Sequence, residues 1–260
     1  MSKLQEVFDC PEPVALVTGS GSRRVGRAIA IHLASLGCRI ALHANTSVDQ
    51  AEDLASHIND KHSTQAHVTQ GSLCDEGTPE RLVDETVAKF GRIDILVNNA
   101  GIHIAKPFTD HSLDEFDHLM KTNVYSVFQL TQQAIRHMQK LGRGKVINVA
   151  SIAGLRGSMN SAAYNTSKHA IVGLTRCVAL ENAKHGINVN AICPGIVETD
   201  LIKGVEQRME TQGMPPEEFR ERILAQIPIG RLLQPEEIAN IAVFLASSES
   251  DGMSGETISI

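Results

Sequence analysis

The chain has 260 residues, a formal net charge of −6 and 42% hydrophobic residues, so it can bury a large core; aromatics make up only 3% and tryptophan is absent, so that core must be aliphatic. No long basic run is present, which argues against nucleic acid or an anionic membrane as a main partner. The five cysteines (Cys10, Cys38, Cys74, Cys177, Cys193) are scattered without metal-ligand spacing, and no apolar run reaches the ~18 residues that span a bilayer, so the expectation is a cytoplasmic protein without disulfides or metal.

In chain order, short apolar runs alternate with longer helical patterns. Val14–Thr18 reads as a strand and Val25–Leu36 as a helix; Arg39–His43 and Val48–Asn59 follow in the same order. Thr64–Val68 then precedes Thr78–Phe90, and Ile93–Asn98 precedes a long helical stretch, Leu113–Leu141. Lys145–Val149 leads to Tyr164–Lys184, Ile187–Ile192 is a sixth strand, and Pro235–Ala246 and Thr257–Ile260 close the pattern. Such alternation predicts βαβ units and a parallel, doubly wound sheet of about seven strands with helices on both faces. No linker separates two domains, so one domain over 1–260 is expected. Only the stretch 198–228 breaks the alternation, with Pro215-Pro216 as a helix start; an excursion of this size is a candidate cover for a substrate site.

The first strand runs into Gly19-Ser-Gly-Ser22-Arg23-Arg24-Val25-Gly26 and then a helix. A strand, a Gly-rich turn and a helix start bring backbone N–H groups and the positive end of a helix dipole against a pyrophosphate. The second strand ends in Ala44-Asn45-Thr46-Ser47, with no acid before Asp49. An acid there would bind adenosine ribose hydroxyls and repel a 2′-phosphate. Its absence, with Arg23 and Arg24 in the facing loop, favours NADP(H), with NAD(H) as the alternative; each charge-assisted hydrogen bond to phosphate contributes about 1.5–3 kcal/mol.

Further along, Tyr164-Asn-Thr-Ser-Lys168 puts a tyrosine and a lysine four apart on one helix face. Ser151 follows the fifth strand, thirteen residues before Tyr164, and Asn98-Asn99-Ala100-Gly101 ends the fourth, where sheets of this kind carry ligands. With the Thr-Gly opening at Thr18-Gly19 and the later Pro194-Gly195, these motifs resemble the short-chain dehydrogenase/reductase family over nearly the whole chain.

The resemblance implies a Rossmann-fold α/β enzyme that moves a hydride between nicotinamide and a carbonyl or secondary alcohol, without a metal. Tyr164 would hold the substrate proton, with Lys168 and the oxidised nicotinamide favouring its phenolate. Ser151 would bind the substrate oxygen, and Asn123 would hold a water that links Lys168 to solvent. Cofactor contacts would come from Gly19, Ser22, Arg23, Arg24, Val25, Gly26, Asn45, Thr46, Ser47, Ser72, Leu73, Asn99, Ala100, Gly101, Tyr164, Lys168, Pro194, Gly195, Val197 and Thr199. Two departures stand out. The Gly-rich turn is one residue longer than the usual pattern and has Arg at the middle Gly; such turns look like those of pteridine reductases and other NADPH-dependent members. Ser72 replaces the Asp that binds adenine.

The expected substrate is a small or medium ketone, such as a 3-oxoacyl group. The alternatives are NAD-dependent oxidation of a secondary alcohol, polyol or hydroxy acid and, more distantly, a non-catalytic dinucleotide-sensing regulator. Homo-oligomerisation, as a tetramer or dimer, is expected through the Leu113–Leu141 and Tyr164–Lys184 helices.

Overall fold

In the computed structural model the described residues are 7–22, 24–199, 202, 206, 210, 211 and 213–260. Seven parallel strands form one sheet: β1 (Val14–Val17), β2 (Arg39–Ala44), β3 (Ala66–Gln70), β4 (Ile95–Asn98), β5 (Gly144–Val149), β6 (Ile187–Cys193) and β7 (Thr257–Ser259), in the order β3-β2-β1-β4-β5-β6-β7. The helices are α1 (Val25–Ser35), α2 (Val48–Lys61), α3 (Thr78–Phe90), α4 (Leu113–Met120), α5 (Ser126–Leu141), α6 (Ala162–Asn182), α7 (Pro216–Leu224) and α8 (Pro235–Ala246). This is the doubly wound Rossmann-like α/β sheet that the alternating pattern predicts. No helix among the described residues is long and apolar enough to cross a membrane.

Successive strand residues point to opposite faces, and the central strands are apolar on both. Ala15, Val17, Ile40, Leu42, Ile95 and Val97 pack on one side with Ile29 and Leu33 of α1, Leu54 and Ile58 of α2, and Ile238 and Leu245 of α8. Val14, Leu16, Leu96, Val146 and Val189 pack on the other with Leu82 of α3, Leu130 and Met138 of α5 and Ala179 of α6. Fully burying one such side chain stabilises by about 1.5–3 kcal/mol. The sheet is therefore the rigid part on which the loops at its carboxyl edge are carried.

Some boundaries shift. The third strand starts at Ala66, not Thr64, whose backbone N–H donates locally to His62 O at 2.8 Å. The fourth starts at Ile95, not Ile93. The long helix expected over Leu113–Leu141 is continuous, but a π-turn at Lys121–Tyr125 separates α4 from α5. Such turns insert an extra residue into a helix, and they cluster at functional sites. At the helix's start, Ser112 and Glu115 form a reciprocal capping box, which satisfies two backbone N–H groups that have no partner inside the helix.

The excursion leaves and rejoins the fold at one point. Val197 pairs with Leu233, Glu198 N–H donates to Leu233 O at 2.8 Å, and Leu233 N–H donates to Ile196 O at 3.0 Å. Arg220 of α7 reaches back to Glu198 at 2.8 Å and to Glu206 at 2.5 Å.

Candidate active site

The strand order reverses between β1 and β4, and in open α/β sheets ligands bind outside the carboxyl ends of the strands at such a switch point. A cleft of about 680 Å³ opens there. Every cofactor residue expected from the sequence lines it except two: Gly26 stands behind the turn, and Arg23 lies outside the described residues.

Thr18 builds the cleft's floor. Its Oγ1 donates to Val97 O (3.2 Å) and accepts the N–H groups of Asn99 (2.9 Å) and Ala100 (3.1 Å), locking the loop after β4 against the turn after β1. The Asn99 amide donates to Thr18 O at 2.9 Å and Gly19 O at 3.2 Å, so its side chain supports the turn from below. That close approach explains Gly26, where a Cβ would run into the Asn99 amide and Gly19 O. Gly19 has φ of +65°, a conformation in which L side chains are strained. At the rim, Arg24 stands with Asn45, Thr46 and Ser47, and no carboxylate among the described residues pairs with its guanidinium. On the adenine side, the Ser72 hydroxyl accepts from Cys74 N–H at 3.3 Å, so it already caps its own turn.

The other wall carries the reactive groups. The i,i+4 spacing on α6 puts Tyr164 and Lys168 side by side, with Lys168 Nζ 5.7 Å from the centre of the Tyr164 ring. Tyr164 shares the wall with Ser151, whose Oγ accepts Ala153 N–H at 3.1 Å at the start of a short 3-10 turn, Ile152–Gly154. Burial pushes the phenol above its ordinary value, and the Ser151 hydroxyl pulls against that rise. Desolvation of the ring is the larger of the two effects. Lys168 is itself buried (6% exposed), and burial lowers its ammonium to about 8. Its Nζ donates to Val149 O at 3.0 Å, and no carboxylate among the described residues pairs with it.

Asn123 sits in the π-turn. Its Oδ1 accepts Ile102 N–H (2.9 Å), and its amide donates to Ile102 O (2.9 Å) and Ser167 Oγ (3.1 Å). Its side chain thus clamps the loop after β4 onto α6. A Cβ on Gly101 would lie 3.2 Å from Asn123 Oδ1 and 3.7 Å from Lys168 Nζ, so Asn123 and Lys168 converge on Gly101.

Three contacts were not anticipated. His103 lies against Tyr164, ring centres 4.5 Å apart, with Nε2 3.1 Å from Ser161 Oγ. His43 is buried beneath the Gly19 turn. Cys74, His118 and Thr122 line the cleft together, with Cys74 Sγ 3.0 Å from Thr122 Oγ1. Of these, only His43 carried a sequence signal, as a polar residue ending an apolar strand.

A family model described as enoyl-(acyl carrier protein) reductase matches residues 20–260. The chain is 36% identical over 247 residues to a 3-oxoacyl-[acyl-carrier-protein] reductase FabG of Aquifex aeolicus, covering 95% of each. It is 37% identical over 246 residues to an acetoacetyl-CoA reductase of Shinella zoogloeoides, again covering 95% of each. Among solved structures, a putative NAD(P) dependent gluconate 5-dehydrogenase from Beutenbergia cavernae with bound NADP superposes with a TM-score of 0.85 at 34% identity, covering 95% of this chain and 94% of that one.

Proposed function

The chain belongs to the short-chain dehydrogenase/reductase family and is an oxidoreductase acting on CH–OH groups with NAD(P); from that premise we propose that it reduces a small or medium ketone, of the 3-oxoacyl type, with NADPH. The observation that carries this reading is the buried ammonium of Lys168, without a carboxylate partner among the described residues, beside Tyr164 and sharing the cleft with Ser151. Buried charge without a partner is costly, and clefts that hold it are functional-site candidates.

The residues present fit a dinucleotide. The turn presents Gly19, without a side chain, to the cleft, Gly26 lets that turn pack closely on Asn99, and α1 begins directly behind it. Arg24, Asn45, Thr46 and Ser47 would hold a 2′-phosphate, where an acidic residue would repel it. Bound there, the dinucleotide supplies the hydride. Ser151 then orients the substrate oxygen and stabilises charge that develops on it. Tyr164 delivers its phenolic proton to that oxygen, and the Lys168 ammonium lowers the cost of the phenolate left behind. Pro194, Gly195, Val197 and Thr199 border the same end of the cleft and would hold the carboxamide; Gly195 N–H is fixed to Ile260 O at 2.8 Å.

Two of the relatives named above reduce 3-oxoacyl thioesters by their descriptions, which supports the ketone class. The resemblance to a putative gluconate 5-dehydrogenase supports the second reading, oxidation of a polyol or hydroxy acid. Exposed Tyr125, Phe128 and Leu180, on the helical stretches 121–141 and 162–182, support self-association.

Titration of the purified protein with NADPH and NADH tests the cofactor. At least a tenfold preference for NADPH, about 1.4 kcal/mol, is expected; equal or tighter NADH binding would overturn the phosphate assignment. NADPH oxidation with acetoacetyl-CoA and with small free ketones tests the reaction. Tyr164→Phe should lose roughly a thousandfold in turnover while binding NADPH within about threefold of wild type. Faster reduction of NAD+ with polyols than oxidation of NADPH with ketones would favour the second reading.

A further inference from the structure

His43, the fifth residue of β2, is 2% exposed and touches two loops at once. Its Nδ1 lies 3.2 Å from Gly19 N, and its Nε2 lies 3.0 Å from Gly71 O. A backbone N–H only donates and a backbone carbonyl only accepts. The tautomer is therefore settled by its neighbours: Nδ1 is bare, Nε2 carries the hydrogen, and the ring is neutral. One imidazole thus ties the turn after β1 to the loop after β3. The main chain of His43 adds to the hold, since its carbonyl accepts Ser20 N–H at 3.0 Å. Gly19 needs such a hold, because its φ of +65° lies outside the strand geometry that precedes it.

We propose that His43 is a positioning residue for the dinucleotide: as an Nε2–H imidazole it keeps the Gly19 turn in its phosphate-receiving shape, and a proton on Nδ1 releases that turn. The inference rests on the dinucleotide reading of the cleft. A protonated Nδ1 would present an N–H to the Gly19 N–H, donor against donor, and the turn would have to move away. Charge near the ring resists that proton. Arg81 of α3, fixed to Gln70 O at 2.9 Å and to Glu85, adds positive charge. Burial lowers the ring's proton affinity as well, so release comes only below the ordinary histidine range of about 6.5. The pyrophosphate turn serves both cofactors, so the effect does not depend on a 2′-phosphate.

The test is calorimetric titration with NAD+ and NADP+ from pH 8 to pH 5, on wild type, His43→Asn and His43→Leu. NAD+ lacks the 2′-phosphate, whose own ionisation near pH 6 would otherwise blur the profile. Wild-type affinity for both should fall about tenfold from pH 7.5 to pH 5, the effect of losing about one hydrogen bond. Asparagine keeps a short carbonyl acceptor but cannot be protonated, so His43→Asn should bind within about threefold of wild type at pH 7.5 and stay flat into acid. His43→Leu should bind about tenfold more weakly at pH 7.5, also without a pH slope. Wild-type affinity in the leucine variant, or a wild-type slope in the asparagine variant, overturns the proposal. If the leucine variant does not fold by circular dichroism, the wild-type and asparagine slopes decide. A folded wild type that binds neither dinucleotide at any pH overturns the cleft reading and this inference together. Tight binding with no acid slope overturns this inference alone.

Discussion

The two ends of the sheet both bury charge, and they treat it in opposite ways. At the amino end Asp94 accepts from Arg92 at 2.6 Å, from Arg143 at 3.3 Å and from Val14 N–H at 3.0 Å, and Lys145 pairs with Asp251 at 2.6 Å. A cavity of about 450 Å³ lies among these groups, but four of the five charged side chains that line it (Asp94, Arg143, Lys145 and Asp251) are already answered by a charged partner within the chain. At the carboxyl end Lys168 is as deeply buried as Asp94 and meets a backbone carbonyl and the Tyr164 ring, while neither it nor Arg24 at the rim pairs with a carboxylate among the described residues. Compensated buried charge holds a structure together; uncompensated buried charge costs stability and is kept where chemistry uses it. The contrast separates scaffold from site using partners alone, without reference to relatives.

The sharpest way to break this contrast is Lys168→Met. Turnover should fall by roughly a thousandfold, yet the protein should become more stable. A depression from 10.5 to about 8 corresponds to about 3 kcal/mol held against folding, and the lost bond to Val149 O returns about 1 kcal/mol of that. A net gain of about 1–2 kcal/mol should appear as a raised melting temperature; a lowered one would show that Lys168 is structural. Asp94→Asn is the counterpart at the other end. It should destabilise by about 2–4 kcal/mol in urea unfolding, because it leaves two guanidiniums facing an uncharged amide. Its kcat/KM should stay within about twofold of wild type; a large loss there would make the amino end part of the catalytic apparatus.

The smallest effect is in pH. Lys168 binds a proton less readily folded than unfolded, so between pH 8 and 10.5 it contributes stability that rises with pH, against the opposite contribution of the Cys10, Cys38 and Cys193 thiols, which burial raises. Ketone reduction should instead decline as pH rises through about 8 and the ammonium is lost. In Lys168→Met this rising contribution should vanish, so the variant's stability should fall more steeply with pH than the wild type's. An unchanged slope in the variant would contradict the assignment to Lys168.

Much of the architecture was legible before any coordinates. The apolar runs located all seven strands, with β3 displaced and β4 starting two residues late, and Thr78–Phe90 and Pro235–Ala246 match their helices end for end. Tyr164 and Lys168 were legible for the same reason, since i,i+4 neighbours on a helix meet whatever else the chain does. The π-turn was not legible, because Lys121–Tyr125 has no composition that distinguishes it from ordinary helix. Nor was the work of Asn99, which looks like a cofactor contact in the motif but holds Thr18 O and Gly19 O from beneath.

By itself, then, the sequence determined the alternation of strands and helices, the apolar faces and the Tyr-x-x-x-Lys pair, all of which depend on residues within one turn or one strand of each other. The tertiary structure alone decided that Thr18 clamps Asn99 and Ala100, that His43 bridges Gly19 and Gly71, and that Lys168 is buried without a carboxylate partner among the described residues. The first two of these require β1 to lie between β2 and β4. A buried polar group takes whichever partner the packing brings within 3 Å, and that partner is set by strand order across the sheet, which local periodicity does not encode.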